Sequence, residues 1–155
     1  MAKTEARIKL AIDAMGSDLG PSEVLEGVAQ AVDRSPWNTE FVLFGREEEI
    51  EPIISSHSIL SRSKVEFVHS PEVVGMEEKP IAGIKGKKKS SMSLALQALK
   101  DGEADALLSC GNTGCLMAGG AIKLRKLDGV ERPAVCTIWP GRERYVTLLD
   151  AGANP

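Results

Sequence analysis

The sequence predicts an α/β fold, a three-layer α/β/α sandwich around a mostly parallel sheet. Short apolar runs with strand character alternate with longer runs of helical period, which is the pattern of βαβ units. The runs near residues 13 and 109 end in glycine-bearing turns that open helices. An apolar share of 43% against 26% charged residues, over 155 residues, supplies enough apolar material for a real core.

The first strand covers residues 7–13, where Ile8, Leu10 and Ile12 alternate before the acidic Asp13. A loop over 14–21 follows, with Gly16, Gly20 and Pro21 and the flanking carboxylates Asp13 and Asp18. The first helix runs from about Ser22 to Asp33. Val24, Leu25, Val28 and Val32 form its apolar stripe, and Glu23 and Glu26 suit the positive end of its dipole. The second strand spans 40–44 and is stopped by Gly45. Residues 46–50 begin a second helical segment whose extent Pro52 leaves open, because an interior proline costs a helix about 3 kcal/mol.

The third strand spans 65–69. Residues 70–89 read as a long loop, with or without a short helix, ending in a basic run; loops of this length in a compact domain are usually functional or mobile. Ser90 or Ser91 caps the next helix, which Met92, Ala95, Leu96 and Leu99 line and Gly102 ends. A buried fourth strand at 104–108 leads into a turn at 109–114. The helix leaving that turn is expected to reach about Leu127, where Asp128 and Gly129 stop it. Fifth and sixth strands are expected at 134–139 and 145–150, with a further glycine turn after them.

The turn at SCGNTGCLMA, residues 109–118, is the chemical centre of the chain. Gly111 and Gly114 let a ligand approach the backbone, and Asn112 and Thr113 add side-chain donors. Free N–H groups at a helix N-terminus, with the positive end of its dipole, bind anions and phosphate above all. The plainer reading is an ordinary βα turn in which Asn112 or Thr113 caps the helix. Right-handed crossovers bring strand-to-helix loops to one sheet edge, where ligands bind. The loops with Asp13, Gly16 and Asp18, with the 111–114 turn, and with Asp150, Gly152 and Asn154 are therefore expected together. Ser90 and Ser91 are helix caps first, and a capping position is also an anion-binding position. Asp13 and Asp18 read as a carboxylate pair, or Asp13 simply accepts backbone hydrogen bonds in the tight turn. Lys85, Lys87, Lys88 and Lys89 read as a solvated face or as a docking site for an acidic partner or a phosphate.

Several function classes are disfavoured. A net charge of −3 and an aromatic share of 4% give neither an electrostatic footprint nor stacking platforms for nucleic acid. There is no dinucleotide fingerprint, and no Walker A, because the spacing of Gly83 and Lys87 fails. Cys110, Cys115, Cys136, His57 and His69 show no zinc-like spacing, so no metal is expected, and no cofactor. The thiols are expected to be reduced packing residues, and no histidine is placed by sequence to activate Cys110. No apolar run approaches the about 20 residues of a membrane span, and the N-terminus lacks the apolar core of a signal peptide. A soluble, cytoplasmic chain is expected.

Four segments together resemble one family: DAMGSD at 13–18, KSSM at 89–92, SCGNTGCLMA at 109–118 and LLDAGAN at 148–154. Their order and spacing, over almost the whole chain from Ile8, resemble the PlsX phosphate acyltransferases of bacterial phospholipid synthesis. The resemblance implies transfer of a long-chain acyl group from acyl carrier protein to inorganic phosphate, giving acyl phosphate. It also implies a Rossmann-like fold akin to phosphotransacetylases, a homodimer, and peripheral contact with the membrane.

Such a reaction mainly needs phosphate held in line with a thioester carbonyl and an oxyanion stabilised, because phosphate is already anionic and a thiolate leaves readily. Asn112 and Thr113 are expected to do this. Gly111, Gly114, Ser90, Ser91, Gly16, Asp13 and Asp18 are expected around the phosphate, and Lys85, Lys87, Lys88 and Lys89 at the carrier protein. Ser17 stands where the family usually has a second glycine, Cys110 and Cys115 where it has alanine, and Ile84 and Lys85 near its usual arginine. Family chains run to about twice this length. Residues 1–155 are thus expected to be a single α/β domain, the N-terminal part of a two-lobed chain, and not competent alone. The alternative is a non-catalytic α/β module that binds a phosphorylated ligand at the same turn.

Overall fold

The computed structural model describes residues 7–34, 38–62, 65–131, 133–142 and 144–149. The chain divides into two units, Met1–Leu124 and Arg125–Pro155. The first holds β1 (Ile8–Asp13), α1 (Pro21–Arg34), β2 (Thr39–Gly45), α2 (Glu47–Ser56), a 3₁₀ turn (Leu60–Arg62) and β3 (Val65–His69). It continues through α3 (Pro80–Gly86), α4 (Ser91–Lys100), β4 (Ala106–Ser109) and α5 (Thr113–Lys123). The four strands form a parallel sheet in the order β3-β2-β1-β4.

β2 shows why the sheet is covered on both faces. Its residues are buried almost without a break, as a central parallel strand requires. Phe41 and Leu43 join Ile12 and the α1 residues Leu25 and Val28, with Ile50 of α2, in one apolar cluster. Val42 and Phe44 join Ala11 and the α4 residues Ala95 and Ala98 in another. The alternation sends successive side chains to opposite layers. Each large aliphatic or aromatic group so buried contributes about 1.5–3 kcal/mol. The three-layer α/β/α architecture is as expected from the sequence.

Pro52 sits inside α2 without ending it. The helical hydrogen bond that its missing N–H removes is the one to the Glu48 carbonyl, four residues back, and both Pro52 and Glu48 are exposed, so the lost bond lies on the solvent side of the helix. The segment between β3 and α4 contains the short α3, which starts at Pro80 and packs against α5. α5 ends at Lys123, earlier than the expected Leu127, and Arg125 takes a positive φ of 68° just beyond it. A non-glycine residue in the left-handed region cannot continue a helix.

The second unit holds β5 (Cys136–Pro140) and β6 (Tyr145–Leu149). These strands do not extend the parallel sheet, contrary to the sequence expectation. They pair antiparallel with each other, from Cys136 opposite Leu149 to Pro140 opposite Tyr145. The connection between them explains the difference: residues 141–144 suffice for a hairpin, whereas a parallel crossover needs about a dozen residues or more. Asp150, Gly152 and Asn154 lie outside the described residues. Among the described residues, no helix is long and apolar enough to cross a membrane.

Candidate anion site at the topological switch point

The chain moves outward from β1 through β2 to β3, then returns to lay β4 on the other side of β1. The loops leaving β1 and β4 therefore diverge, and the crevice between their carboxyl ends is where open α/β sheets take ligands. Parallel register places Asp13 beside Ser109, the last residues of the two strands. The Ser109 Oγ donates to Asp13 Oδ2 at 2.7 Å and accepts from the Gly111 N–H at 3.1 Å. The Met15 N–H donates to Asp13 Oδ1 at 3.3 Å. Asp13 is only 2% exposed.

Gly16 closes over this relay. A Cβ on Gly16 would stand 2.6 Å from Asp13 Oδ2 and 2.9 Å from the Gly111 nitrogen, and a Cβ on Gly111 would stand 3.1 Å from the Gly16 Cα. The two loops touch backbone to backbone: a Cβ on Gly16 would clash, and one on Gly111 would push the Gly16 backbone back by a few tenths of an ångström. Asp13, Gly16 and Gly111 are thus brought together as the sequence suggested. Asp18 is not part of the group: it is exposed, and among the described residues no hydrogen bond joins it to Asp13.

α5 begins immediately after this contact. Asn112 is its N-cap, and Asn112 Oδ1 accepts from the Cys115 N–H at 3.0 Å. Among the described residues, no acceptor takes the N–H of Thr113 or Gly114, the first two residues of the helix. Such unpaired donors at the positive end of a helix are the usual partners of an anion. Thr113 is exposed and its hydroxyl lies at the same helix end.

The Asn112 carboxamide does not reach outward to a ligand. Its Nδ2 donates to the carbonyls of Met76 at 2.7 Å, Glu78 at 3.0 Å and Gly75 at 3.3 Å, and Asn112 is 9% exposed. It ties the 75–78 segment to the start of α5. Gly114 permits a second contact there, since a Cβ on it would stand 2.8 Å from Pro80 Cγ.

From Glu78 the connections run on to α4. The Glu78 carboxylate pairs with Lys87 and accepts from the Gly75 N–H at 2.8 Å. The hydrogen bond from Lys87, and then that from Gly75, hold the Glu78 carboxyl below its ordinary pKa. Lys87 Nζ also donates to the Val73 carbonyl at 2.7 Å. The Lys87 carbonyl accepts from Ser90 Oγ at 2.8 Å and Ser93 Oγ at 2.9 Å. Ser90 Oγ in turn accepts from the Ser93 N–H at 3.2 Å, which makes it the N-cap of α4.

These bonds revise the sequence reading at several positions. Lys87 is half-buried and its ammonium braces the loop through Glu78 and the Val73 carbonyl, whereas Lys85, Lys88 and Lys89 are exposed. Ser90 and Ser91 are buried, and the Ser90 hydroxyl is occupied at both its donor and an acceptor position by protein. Cys115 alone of the three thiols is buried, whereas Cys110 and Cys136 are exposed and are not packing residues. Burial pushes the Cys115 thiol pKa up, with the nearby Glu78 charge adding to the shift.

Sequence reasoning missed Ser109 and Glu78 as parts of the arrangement. Ser109 carried one signal, since it ends a strand whose register neighbour is an acidic strand end. Glu78 carried none, because its partners are fixed by the path of a loop.

The family profile described as "Fatty acid synthesis protein" matches residues 8–155. A protein of Ruegeria sp. (strain TM1040) named "Phosphate acyltransferase" is 41% identical over 150 residues, 96% of this chain and 40% of that protein. A protein of the same name from Azorhizobium caulinodans is 45% identical, over 96% of this chain and 42% of its own length. Another, from Pediococcus pentosaceus, is 41% identical over 95% of this chain and 42% of its own length. The chain thus spans about two fifths of the length of these relatives. With a profile match from the first strand to the last residue, the chain belongs to the fatty acid synthesis protein family.

Proposed function

We propose that this chain carries the phosphate site of an acyltransferase that moves a long-chain acyl group from acyl carrier protein to inorganic phosphate, giving acyl phosphate. The observation that carries the reading is the pair of unpaired N–H groups at Thr113 and Gly114, set at the switch point beside the Asp13–Ser109 contact. The relatives' shared name, phosphate acyltransferase, supports the same chemistry.

In the proposed reaction a phosphate oxygen attacks the thioester carbonyl carbon. The new C–O bond forms, the C–S bond breaks, and the proton of monohydrogen phosphate ends on the departing thiolate. The products are acyl phosphate and the free thiol. The Thr113 and Gly114 amides and the Thr113 hydroxyl hold the anion in line with the carbonyl. Asn112 acts as a positioning residue, because its donors and its acceptor are engaged within the protein. Lys85, Lys88 and Lys89 form the exposed basic edge on which an acidic carrier protein docks, with Lys87 bracing the loop beneath. Dimerisation and peripheral contact with the membrane belong to the same proposal through the family resemblance.

The test is release of free carrier-protein thiol from acylated carrier protein, measured with and without inorganic phosphate. Phosphate-dependent release that falls on Thr113→Val supports the acyltransferase. Phosphate binding without release, in this chain and in a full-length relative alike, leaves a binding module instead.

A further inference from the structure

The sheet face under α1 is covered over β1 and left open over β4. Ile12 and Leu108 are register neighbours on that face, yet Ile12 is 1% exposed and Leu108 is 50% exposed. Between the flank of α1 and β4 this leaves a groove of about 270 Å³. Leu10, Ile12 and Leu108 line it from the sheet, and Val24, Val28 and Ala31 from the helix. Among the described residues, Glu23 is the one charged group on its lining, and Glu23 is exposed. A polar ligand would lose its water here and find almost no hydrogen-bonding partner.

The two walls give the same length. Leu10 pairs with Ala106, so from the level of Leu10 to Cys110 the sheet advances four residues, about 13 Å. From Glu23 to Ala31 the helix advances eight residues, about 12 Å. About 270 Å³ spread over that length leaves a mean cross-section of about 20 Å². A helix with its side chains, about 10–12 Å across, is too wide for it. A single alkyl chain, at carbon contact distances of about 4 Å, is not. α1 follows β1, so its first turn and Cys110 lie together at the carboxyl edge of the sheet. Gly111 comes next in the chain, so the groove opens at the switch-point crevice.

We infer that this groove is a binding site for the alkyl tail of a fatty-acyl group, entered at Cys110. The inference rests on the acyltransferase reading above for the identity of the chain, and adds where its tail lies. The carbonyl end stays at the crevice, and the tail runs between α1 and β4 toward Leu10. Gly27 is the specificity-determining position. It lines the groove, and a Cβ there would meet nothing within 4 Å, so a longer side chain fills the path of the tail without displacing the packing.

The experiment is native iodoacetamide labelling of Cys110, with Cys136 of the same molecule as reference, in the presence of hexanol, octanol or decanol. These probes are neutral, so Glu23 does not repel them. Saturable slowing at Cys110 alone is expected, with the half-effect concentration falling about fourfold for each added methylene. Gly27→Leu, shown to be folded by circular dichroism, is expected to need at least about tenfold more decanol. The wild-type chain-length series decides the matter even if that variant fails to fold. Labelling of Cys110 that ignores the alcohols, or slows equally at Cys136, or shows no dependence on chain length, overturns the inference. So does a Cys110 that is inert before any alcohol is added in a chain that sediments as a dimer, because a second copy then covers the groove. Neither phosphate nor carrier protein enters the measurement, so its failure leaves the acyltransferase reading standing. Protection of Cys110 without phosphate-dependent thiol release keeps the groove and removes that reading.

Discussion

The Nδ2 of Asn112 donates to the carbonyl of Met76 at 2.7 Å, across 36 positions of the chain. This contact makes the N-cap of α5 a structural tie between the start of that helix and the 75–78 segment. Asn112→Ala removes the cap of α5 and the ties to the Met76 and Glu78 carbonyls, and is expected to cost about 1–3 kcal/mol. Asn112→Asp keeps the acceptor for the Cys115 N–H but sets a carboxylate against those carbonyls, so it is expected to be no more stable than the alanine variant. Urea unfolding measures both. An alanine variant with the wild-type midpoint would remove Asn112 from the scaffold.

The Glu78–Lys87 pair predicts a specific acid sensitivity. The Glu78 carboxyl is held below its ordinary value of 4.5, chiefly by the hydrogen bond from Lys87. A group with a lowered folded-state pKa contributes stability that is fully present above its unfolded value and is lost as pH falls through the folded one. The gap in melting temperature between wild type and Glu78→Gln should therefore be widest at neutral pH and shrink as the pH falls below 4.5. A gap that stays constant into acid would show that the charge of Glu78 contributes nothing.

Two neighbouring glycines of α5 should respond with opposite signs. A Cβ on Gly119 would stand 2.4 Å from Leu96 Cδ1 and 3.2 Å from Ile84 Cδ1, whereas a Cβ on Gly120 would meet nothing within 4 Å. Gly119→Ala overpacks the contact with α3 and α4 and is expected to destabilise by about 1–3 kcal/mol. Gly120→Ala gains helix propensity alone and is expected to stabilise by up to about 1 kcal/mol. Thermal melts decide, and equal shifts for the two variants would contradict the packing.

Thiol reactivity should divide the cysteines. Cys110 and Cys136 are exposed, whereas Cys115 is buried with a raised pKa, so its reactive thiolate is scarce. Iodoacetamide under native conditions is expected to modify Cys110 and Cys136 quickly and Cys115 only on unfolding, as read by peptide mass. Rapid native modification of Cys115 would show that α5 does not pack as described.

Much of this was legible in the residues themselves. Alternating Ile8, Leu10 and Ile12 located β1, and the strand, glycine turn and helix around Gly111 located the end of β4 and the start of α5, because these signals are local. Ser90 and Asn112 were legible as caps for the same reason. The partners of Asn112 were not, since three loop carbonyls contacted across 34–37 positions leave no periodic trace. Lys87 looked like its neighbours in a basic run, and only the path of the loop turns it toward Glu78. β5 and β6 were located as strands but given the wrong partners. The four-residue gap between them outweighed the parallel pattern set by the earlier strands.

The central claim is that the switch point between β1 and β4 holds an anion at the first amides of α5. A titration of the isotopically labelled chain with inorganic phosphate, followed through its backbone amide resonances, tests it most directly. The account predicts that the Thr113 and Gly114 amides shift most and saturate together, with Gly111 following. Saturable shifts centred on another part of the chain, or none at all, would contradict it.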